Sequence, residues 1–364
     1  MKPVKTEDVA SSNDIVKSCK YLQMGCSFLL DGMYPCVHGS IQSPRIVSAD
    51  EINSGAATYE MIIARRKLIF EALNGHNDTP TADCKICHHL KEVQNSDISF
   101  DYLGGEKLPG AFSIQHYTIC NEKCSYCVYA QNNMFAPPQF NILDVYDQFK
   151  KRNKICGNNW IDFSGGEPAM LGNFDEIIKY FDDNKMGQVV VYSNALKFST
   201  KLCELLKENK VILTTSIDTG IPSTYEKIRH GSYSKVMENL VKYRNSGTKN
   251  LWLKYVIIED NRTDDDLWSF LFVVLSIRPD RVIISPDFPY GDKFIPQETS
   301  RFAARLWCLV EKFTGCKPKD YTSVMLGEKY DKYRKELHEE IIALKSTAEF
   351  SSGLLLKTYC GGYL

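Results

Sequence analysis

An α/β fold is what this 364-residue chain predicts, on three observations. Past about residue 109, short runs rich in β-branched and aromatic residues alternate with runs of helical period. The polar residues gather at the carboxyl ends of the short runs. At 43% hydrophobic and 24% charged, the composition is that of a globular chain able to bury a large core. Such alternation argues for a parallel sheet with outer helices, as an open sheet or a partial barrel.

Each element follows from its own pattern. Residues 113–118 read as a strand, and 143–152 as the next helix. Strand 160–163 leads to helix 174–182, and strand 189–192 to helix 200–209. Strand 211–216 leads to helix 234–244, strand 251–258 to helix 264–275, and strand 281–285 to helix 296–313. Asp264, Asp265 and Asp266 suit a helix N-terminus, where the dipole favours negative charge. Tyr330, Tyr333, Leu337, Ile341 and Leu344 recur at helical spacing, so 327–345 is a surface helix packed by one face. Residues 1–108 read as irregular apart from one helix over 56–73, within which Arg65-Arg66-Lys67 reads as a solvated face. The expected division is a cysteine-rich module over 1–108, the strand–helix region over 109–290, and a helical extension over 291–364.

Net charge is −1, and there is no basic stripe, so nucleic acid is not an expected partner. No run of about eighteen apolar residues suggests a membrane span. Lys2 and Lys5 are followed by no apolar signal segment, so a reducing cytoplasm is the expected compartment. Thirteen cysteines in such a chain argue for metal or redox chemistry rather than disulfides.

Three of them, Cys120, Cys124 and Cys127, lie in C-N-E-K-C-S-Y-C at the tip of the first strand of the alternating region. Three thiolates on one tight loop can hold three irons of a 4Fe–4S cube, and no fourth cysteine follows to close the last iron. The open iron can chelate an amino and a carboxylate group. In parallel α/β architectures the active site lies at the carboxyl ends of the strands. The other tips carry Ser164-Gly165-Gly166-Glu167-Pro168, Ser193-Asn194, Ser216-Ile217-Asp218, and Ser285-Pro286-Asp287, and the fifth strand carries Lys254 and leads to Asn261. A glycine pair lets backbone approach a ligand, and the carboxylate beside it can pair an ammonium. Lys254 is either an inward cation for a carboxylate or phosphate, or a solvated one. Arg229 and His230 read as surface residues, and Asp287 as an anchor for a substrate hydroxyl.

Over residues 109–290 the chain resembles the radical S-adenosylmethionine (radical SAM) enzymes. The C-x3-C-x2-C loop, with Tyr126 before its last cysteine, and Gly165-Gly166-Glu167 carry the resemblance. It implies a partial (β/α)6 TIM-like barrel and a 4Fe–4S cluster on Cys120, Cys124 and Cys127, which act as the catalytic set. It implies S-adenosylmethionine as cofactor, with the methionine amino group held at Gly165, Gly166 and Glu167. Tyr126, Ser193, Asn194, Ser216 and Asp218 are the other expected contacts, the last two toward ribose or carboxylate. One electron would break the C–S bond, and a 5′-deoxyadenosyl radical would abstract a substrate hydrogen. A flavodoxin or ferredoxin would supply the electron. Oxidation, epimerisation or C–X bond formation on a small metabolite, sugar or peptide would fit. A non-catalytic Fe–S carrier and an RNA-modifying member of the superfamily are the rival readings.

Cys26, Cys36, Cys84 and Cys87 form a second set. A C-x2-C pair with two distant cysteines has the count of a closed four-thiolate site, for an auxiliary 4Fe–4S cluster or a structural zinc. The set is similar to SPASM or twitch auxiliary-cluster modules, although those follow the barrel. His88 and His89 are alternative ligands. Cys84-Lys85-Ile86-Cys87-His88 also fits c-type haem attachment, which normally needs export. Cys203 and Cys308 fall in helical patterns and read as small buried hydrophobes, and Cys360 lies in a glycine-containing tail.

Overall fold

The computed structural model describes residues 14–36, 43–87, 89–104, 110–287, 295–325 and 327–347. The elements, in chain order, begin with β1 (Ile15–Ser18), α1 (Lys20–Met24), β2 (Cys26–Leu29), β3 (Gly32–Tyr34), β4 (Val47–Ser48), α2 (Ala49–Asn53), α3 (Tyr59–Leu73), α4 (Ala82–Lys85) and β5 (Lys91–Gln94). The alternating region follows with β6 (Gly110–Ile114), α5 (Val128–Gln131), α6 (Ile142–Lys150), β7 (Asn159–Phe163), α7 (Phe174–Asp183), β8 (Gln188–Tyr192), α8 (Thr200–Lys207) and β9 (Val211–Ser216). Then come α9 (Pro222–Arg229), α10 (Tyr233–Asn245), β10 (Leu251–Ile257), α11 (Asp264–Ile277), β11 (Arg281–Pro286), α12 (Gln297–Thr314), β12 (Lys319–Asp320) and α13 (Glu328–Lys345). The fold class is the α/β one that the sequence predicts.

All six predicted strands of the alternating region form, as do their helices. The first strand is displaced. It spans Gly110–Ile114 instead of 113–118, because the backbone leaves the ladder after Ile114 and the rings of His116 and Tyr117 turn into a buried aromatic cluster with Phe140 and Phe163. Helix α9, with Pro222 at its first turn, was not foreseen.

The chain divides into two compact units. The first comprises Met1–Thr118, Ala136–Gly166 and Asn173–Val189; the second comprises Ile119–Phe135, Glu167–Gly172 and Val190–Leu364. In the first, strands run in the order β7-β6-β2-β3-β4, with β6 parallel to both β7 and β2. Strands β2, β3 and β4 form an antiparallel meander, and β1 pairs antiparallel with β5. The N-terminal region is therefore not irregular. Its strands are only two to four residues long, too short to show a period in sequence. The turn into β3 requires Gly32, whose φ is +147° and where a Cβ would lie 2.1 Å from the Val47 carbonyl oxygen.

Phe28, Phe112, Tyr146, Phe149 and Phe181 fill the core of this unit. Arg66 lies among them fully buried, contrary to the solvated face expected of it. Its Nη1 donates to Gln23 O at 2.6 Å and Tyr102 O at 3.2 Å, and its Nη2 donates to Gly25 O at 2.6 Å. One guanidinium thus satisfies three carbonyls that helix α1 and a loop leave unpaired. Arg65, one residue earlier, grips Glu51 at 2.6 Å.

In the second unit strands run β8-β9-β10-β11-β12, with β9, β10, β11 and β12 parallel. The order is linear, with no described strand returning to pair with the first. Tyr255, Phe270 and Phe302 pack ring on ring beneath β10. Thr263 and Asp266 form a capping box at the start of α11, so the acidic run does sit at a helix N-terminus. Helices α12 and α13 pack side by side, tied by Arg301–Glu340 and Lys345–Glu311 pairs. No helix among the described residues is long and apolar enough to cross a membrane.

Replacing Arg66 with alanine should strand its three carbonyl partners in the core. The expected loss is about 3 kcal/mol or more, a fall of about 6–12 °C in thermal midpoint, read by circular dichroism. An unchanged midpoint would remove Arg66 from this role.

Candidate functional site

The second unit holds the cysteine loop. Cys120, Cys124 and Cys127 are all half-buried and free of disulfides. The Cys127 N–H donates to Cys124 O at 3.0 Å, and Cys127 caps the short helix α5. The Glu122 N–H points at the Cys120 sulfur at 3.4 Å, and the Asn194 amide reaches the same sulfur at 3.7 Å. N–H groups aimed at a sulfur suit a thiolate ligand. Burial pushes the Cys120 thiol up to about 11 and Cys124 up to about 12, so a metal must displace their protons to bind.

Beneath the loop lies a group of charges that sequence reasoning missed. Arg229 is 6% exposed, at the end of α9. Its Nε donates to Glu122 Oε2 at 3.1 Å, and its Nη1 donates to Asp218 Oδ2 at 2.9 Å and to Tyr126 Oη at 2.6 Å. The Tyr126 hydroxyl donates on to Asp218 Oδ2 at 2.9 Å, and Tyr225 to Glu122 Oε1 at 3.2 Å. Two backbone bonds fasten the same helix end to the loop: Lys123 N to Arg229 O at 3.3 Å and Ser125 N to Ile228 O at 2.8 Å. Gly231 completes the seat, since a Cβ there would lie 2.3 Å from Glu122 Oε1. Glu122, a charge between two of the loop cysteines, was the one signal in the sequence. Its partner is more than a hundred residues away.

These bonds change the role of Asp218. Both of its oxygens are taken, by Arg229 and Tyr126 on one side and by the Val256 N–H at 3.1 Å on the other. It is fully buried and braces the tips of β9 and β10. Asn261 finishes this brace, donating to Asp218 O and Val256 O, both at 2.8 Å. The Tyr126 hydroxyl is likewise committed. Ser216, half-buried at the end of β9, sits beside Lys254 in the strand register.

Glu167 is held by a similar set of bonds. It is 1% exposed and accepts from Ser193 Oγ at 2.8 Å, Asn194 N at 2.7 Å and Ala169 N at 3.0 Å. Burial pushes its carboxyl up to about 7 against these donors. Through these bonds it holds the β8 tip in place. Ser193 and Asn194 are brought to it as expected of neighbours, and the Asn194 side chain continues to Asn121 at 2.7 Å. The Glu167 N–H donates to Ile119 O at 2.8 Å, directly before Cys120. In the first unit, Gly165 has φ +101°, and a Cβ on it would lie 2.6 Å from Tyr117 O. Its glycine is a requirement of the backbone itself. Gly166 N donates to the same Tyr117 oxygen at 3.1 Å.

Lys254 places its ammonium 4.0 Å from the Tyr321 ring centroid, and burial pushes it down to about 8. Asp287 is half-buried, with its N–H on Ile257 O at 2.9 Å.

The N-terminal cysteines lie in the first unit, and the structure regroups them. Cys36, Cys84 and Cys87 line one cavity, and the fourth sulfur there is that of Cys19. Cys26 is absent from its lining. It is fully buried, its thiol pushed up to about 12 by burial, beside Arg66 and Tyr146. The reason is register: Cys26 pairs with Phe112 in the parallel β2–β6 ladder and faces the core. His89 lines the cavity; His88 and Cys360 lie outside the described residues. Cys308 is buried as expected, whereas Cys203 is half-buried.

Substituting Arg229 with methionine should leave two buried carboxylates without their counter-charge. The expected cost is about 3–5 kcal/mol, read as a fall in thermal midpoint together with loss of iron from the isolated protein. Gly231→Ala removes no charge and should lower iron retention by displacing Glu122. Normal iron content in both variants would detach this charge group from the loop.

The chain is similar to several known proteins. Residues 114–272 match the family model of the radical SAM superfamily. A GTP 3′,8-cyclase of Clostridium botulinum (strain Okra / Type B1) is 28% identical over 153 residues, 40% of this chain and 48% of that protein. A probable GTP 3′,8-cyclase of Methanococcus aeolicus is 25% identical over 144 residues, 39% of this chain and again 48% of that protein. The chain thus spans about half the length of the curated relatives it matches. Among solved structures, native anSMEcpe with bound AdoMet aligns at TM-score 0.47 and 15% identity, over 60% of this chain and 67% of that one. Streptococcus suis SuiB bound to precursor peptide SuiA aligns at TM-score 0.47 and 12% identity, over 89% and 75%.

Proposed function

We propose that this chain, which belongs to the radical SAM superfamily through residues 114–272, is an enzyme that cleaves S-adenosylmethionine reductively to abstract hydrogen from a substrate. The observation that carries the reading is the loop of three free, half-buried thiols, Cys120, Cys124 and Cys127, seated on a buried Arg229. The donor set fits a 4Fe–4S cluster: three thiols on eight residues, with two N–H groups directed at the Cys120 sulfur. When bound, the cluster and S-adenosylmethionine supply one-electron reductive C–S cleavage and a hydrogen-abstracting radical.

The chain's own residues do the positioning. Arg229 holds Glu122 and Tyr126, and through them the two turns that present Cys124 and Cys127. Asn194 donates to the Cys120 sulfur and so tunes its donor strength. Glu167 fixes the Ser193-Asn194 tip by its carboxylate and the approach to Cys120 by its N–H. Gly165, Gly166, Glu167 and Ser216 are the residues we assign to S-adenosylmethionine.

The substrate class is a small metabolite, a sugar or a peptide, with a flavodoxin or ferredoxin as reductant in the cytoplasm. The stretch shared with the GTP 3′,8-cyclases covers about 40% of this chain. It supports common cofactor handling and does not choose a nucleotide substrate. The division into a cysteine-rich module over 1–108, a catalytic region over 109–290 and a helical extension over 291–364 remains our functional reading of the chain.

Anaerobic reconstitution with iron and sulfide, followed by dithionite and S-adenosylmethionine, should yield 5′-deoxyadenosine. Changing Cys120, Cys124 and Cys127 together to alanine should remove about four irons per chain and abolish that product. Iron that falls by about four in a protein that never forms 5′-deoxyadenosine would leave a cluster carrier and sink the enzymatic reading.

A further inference from the structure

We propose that Cys19, Cys36, Cys84 and Cys87 hold a second 4Fe–4S cluster closed by four protein thiolates, and that Cys26 is not one of its ligands. The four sulfurs come from three separate stretches of chain: the joint of β1 and α1, the segment after β3, and the turn at α4. The fold brings all of them to one cavity, with Leu22, Ile69 and Leu73 among its apolar walls. All four are free thiols. Five cysteines precede residue 109, and the only one of them missing from the cavity is Cys26.

Cys19, Cys84 and Cys87 lie within electrostatic reach of one another, and Cys36 lies within reach of the Tyr21 phenol that Cys19 and Cys87 share. The Cys19 and Cys87 sulfurs act on Cys84, and Cys19, Cys36 and Cys87 all act on the Tyr21 phenol. The Leu22 N–H points at the Cys19 sulfur at 3.4 Å, the same N–H to sulfur arrangement that serves Cys120 in the second unit. Cys19 is thereby held as a ligand would be, at the N-cap of α1.

Four thiolates have the count for a single tetrahedral ion or a four-iron cube, and the cavity they line favours the cube. A zinc ion needs its four sulfurs at about 2.3 Å from one point. Among the described residues no three His, Cys, Asp or Glu side chains are gathered tightly enough to hold one metal ion. A cube places each thiolate on its own iron and keeps the sulfurs apart around a body, which a cavity walled by four thiols leaves room for. Apolar walls exclude water from such a body and protect it from solvent. With all four irons taken by protein, the site offers no coordination position to a substrate, in contrast to the three-cysteine loop.

This inference does not depend on S-adenosylmethionine cleavage, and its test is built accordingly. The starting protein is full-length C120A/C124A/C127A, reconstituted anaerobically, so that the first loop contributes no iron. It should hold about four irons and about four sulfides per chain. Adding Cys19→Ala should bring both below about one, whereas adding Cys26→Ala should leave them near four. Differential alkylation of the unsubstituted holoprotein, before and after stripping by a chelator, gives a readout that needs no variant to fold. Cys19, Cys36, Cys84 and Cys87 should gain label together on stripping, and Cys26 should not. Iron kept in the Cys19 variant and lost in the Cys26 variant would overturn the ligand assignment. One zinc per chain without sulfide would overturn the cluster. Absence of any metal, with the four thiols labelled equally before and after stripping, would overturn both.

Discussion

The buried guanidinium of Arg229 is the interaction on which the cysteine loop of the second unit depends. One cation, nearly closed to solvent, meets two carboxylates that are fully closed to it, Glu122 and Asp218. Taking such charges out of water costs several kcal/mol each, and only geometry with every partner satisfied offsets it. The geometry here is of that kind: Tyr126, Tyr225 and the Val256 N–H fill the remaining positions on the carboxylates. The payoff is positional. Glu122 lies between Cys120 and Cys124, and Tyr126 lies between Cys124 and Cys127, so a group fixed at both points sets the path of the whole loop.

A second constraint acts through Glu167, which sequence reading casts as a ligand for an ammonium. Its carboxylate accepts from three donors of the second unit, and its N–H donates to the residue before Cys120. The same logic holds for Asp218. Both acids lie at strand tips and brace the rim through three hydrogen bonds each.

Most of the alternating region was legible because its signals are local. The strand 211–216 is found at the residues expected, helix 174–182 differs from the observed α7 by one residue at its C-terminus, and 234–244 differs from α10 by one residue at each end. The N-terminal strands were not legible, because two to four residues cannot display a period of two against a background of loops. The aromatic run after Ile114 misled for the opposite reason: His116 and Tyr117 have the look of strand residues, yet their burial is against Phe140 and Phe163 in tertiary packing.

By itself the amino-acid sequence determined the fold class, the three-cysteine loop and the glycine-glycine-glutamate segment that follows the second strand of the alternating region. Each of these is written in neighbouring residues, through periodicity or fixed spacing. Only the tertiary structure decided which distant groups meet. It chose Cys19 over Cys26 beside Cys36, Cys84 and Cys87, because β2 pairs with β6 in a register that turns Cys26 into the core. It moved Arg66 and Arg229 from expected surfaces to full burial, because unpaired carbonyls in one case and two carboxylates in the other were waiting for a donor. Hydrogen-bond satisfaction is a property of three-dimensional neighbours, and no spacing along the chain records it.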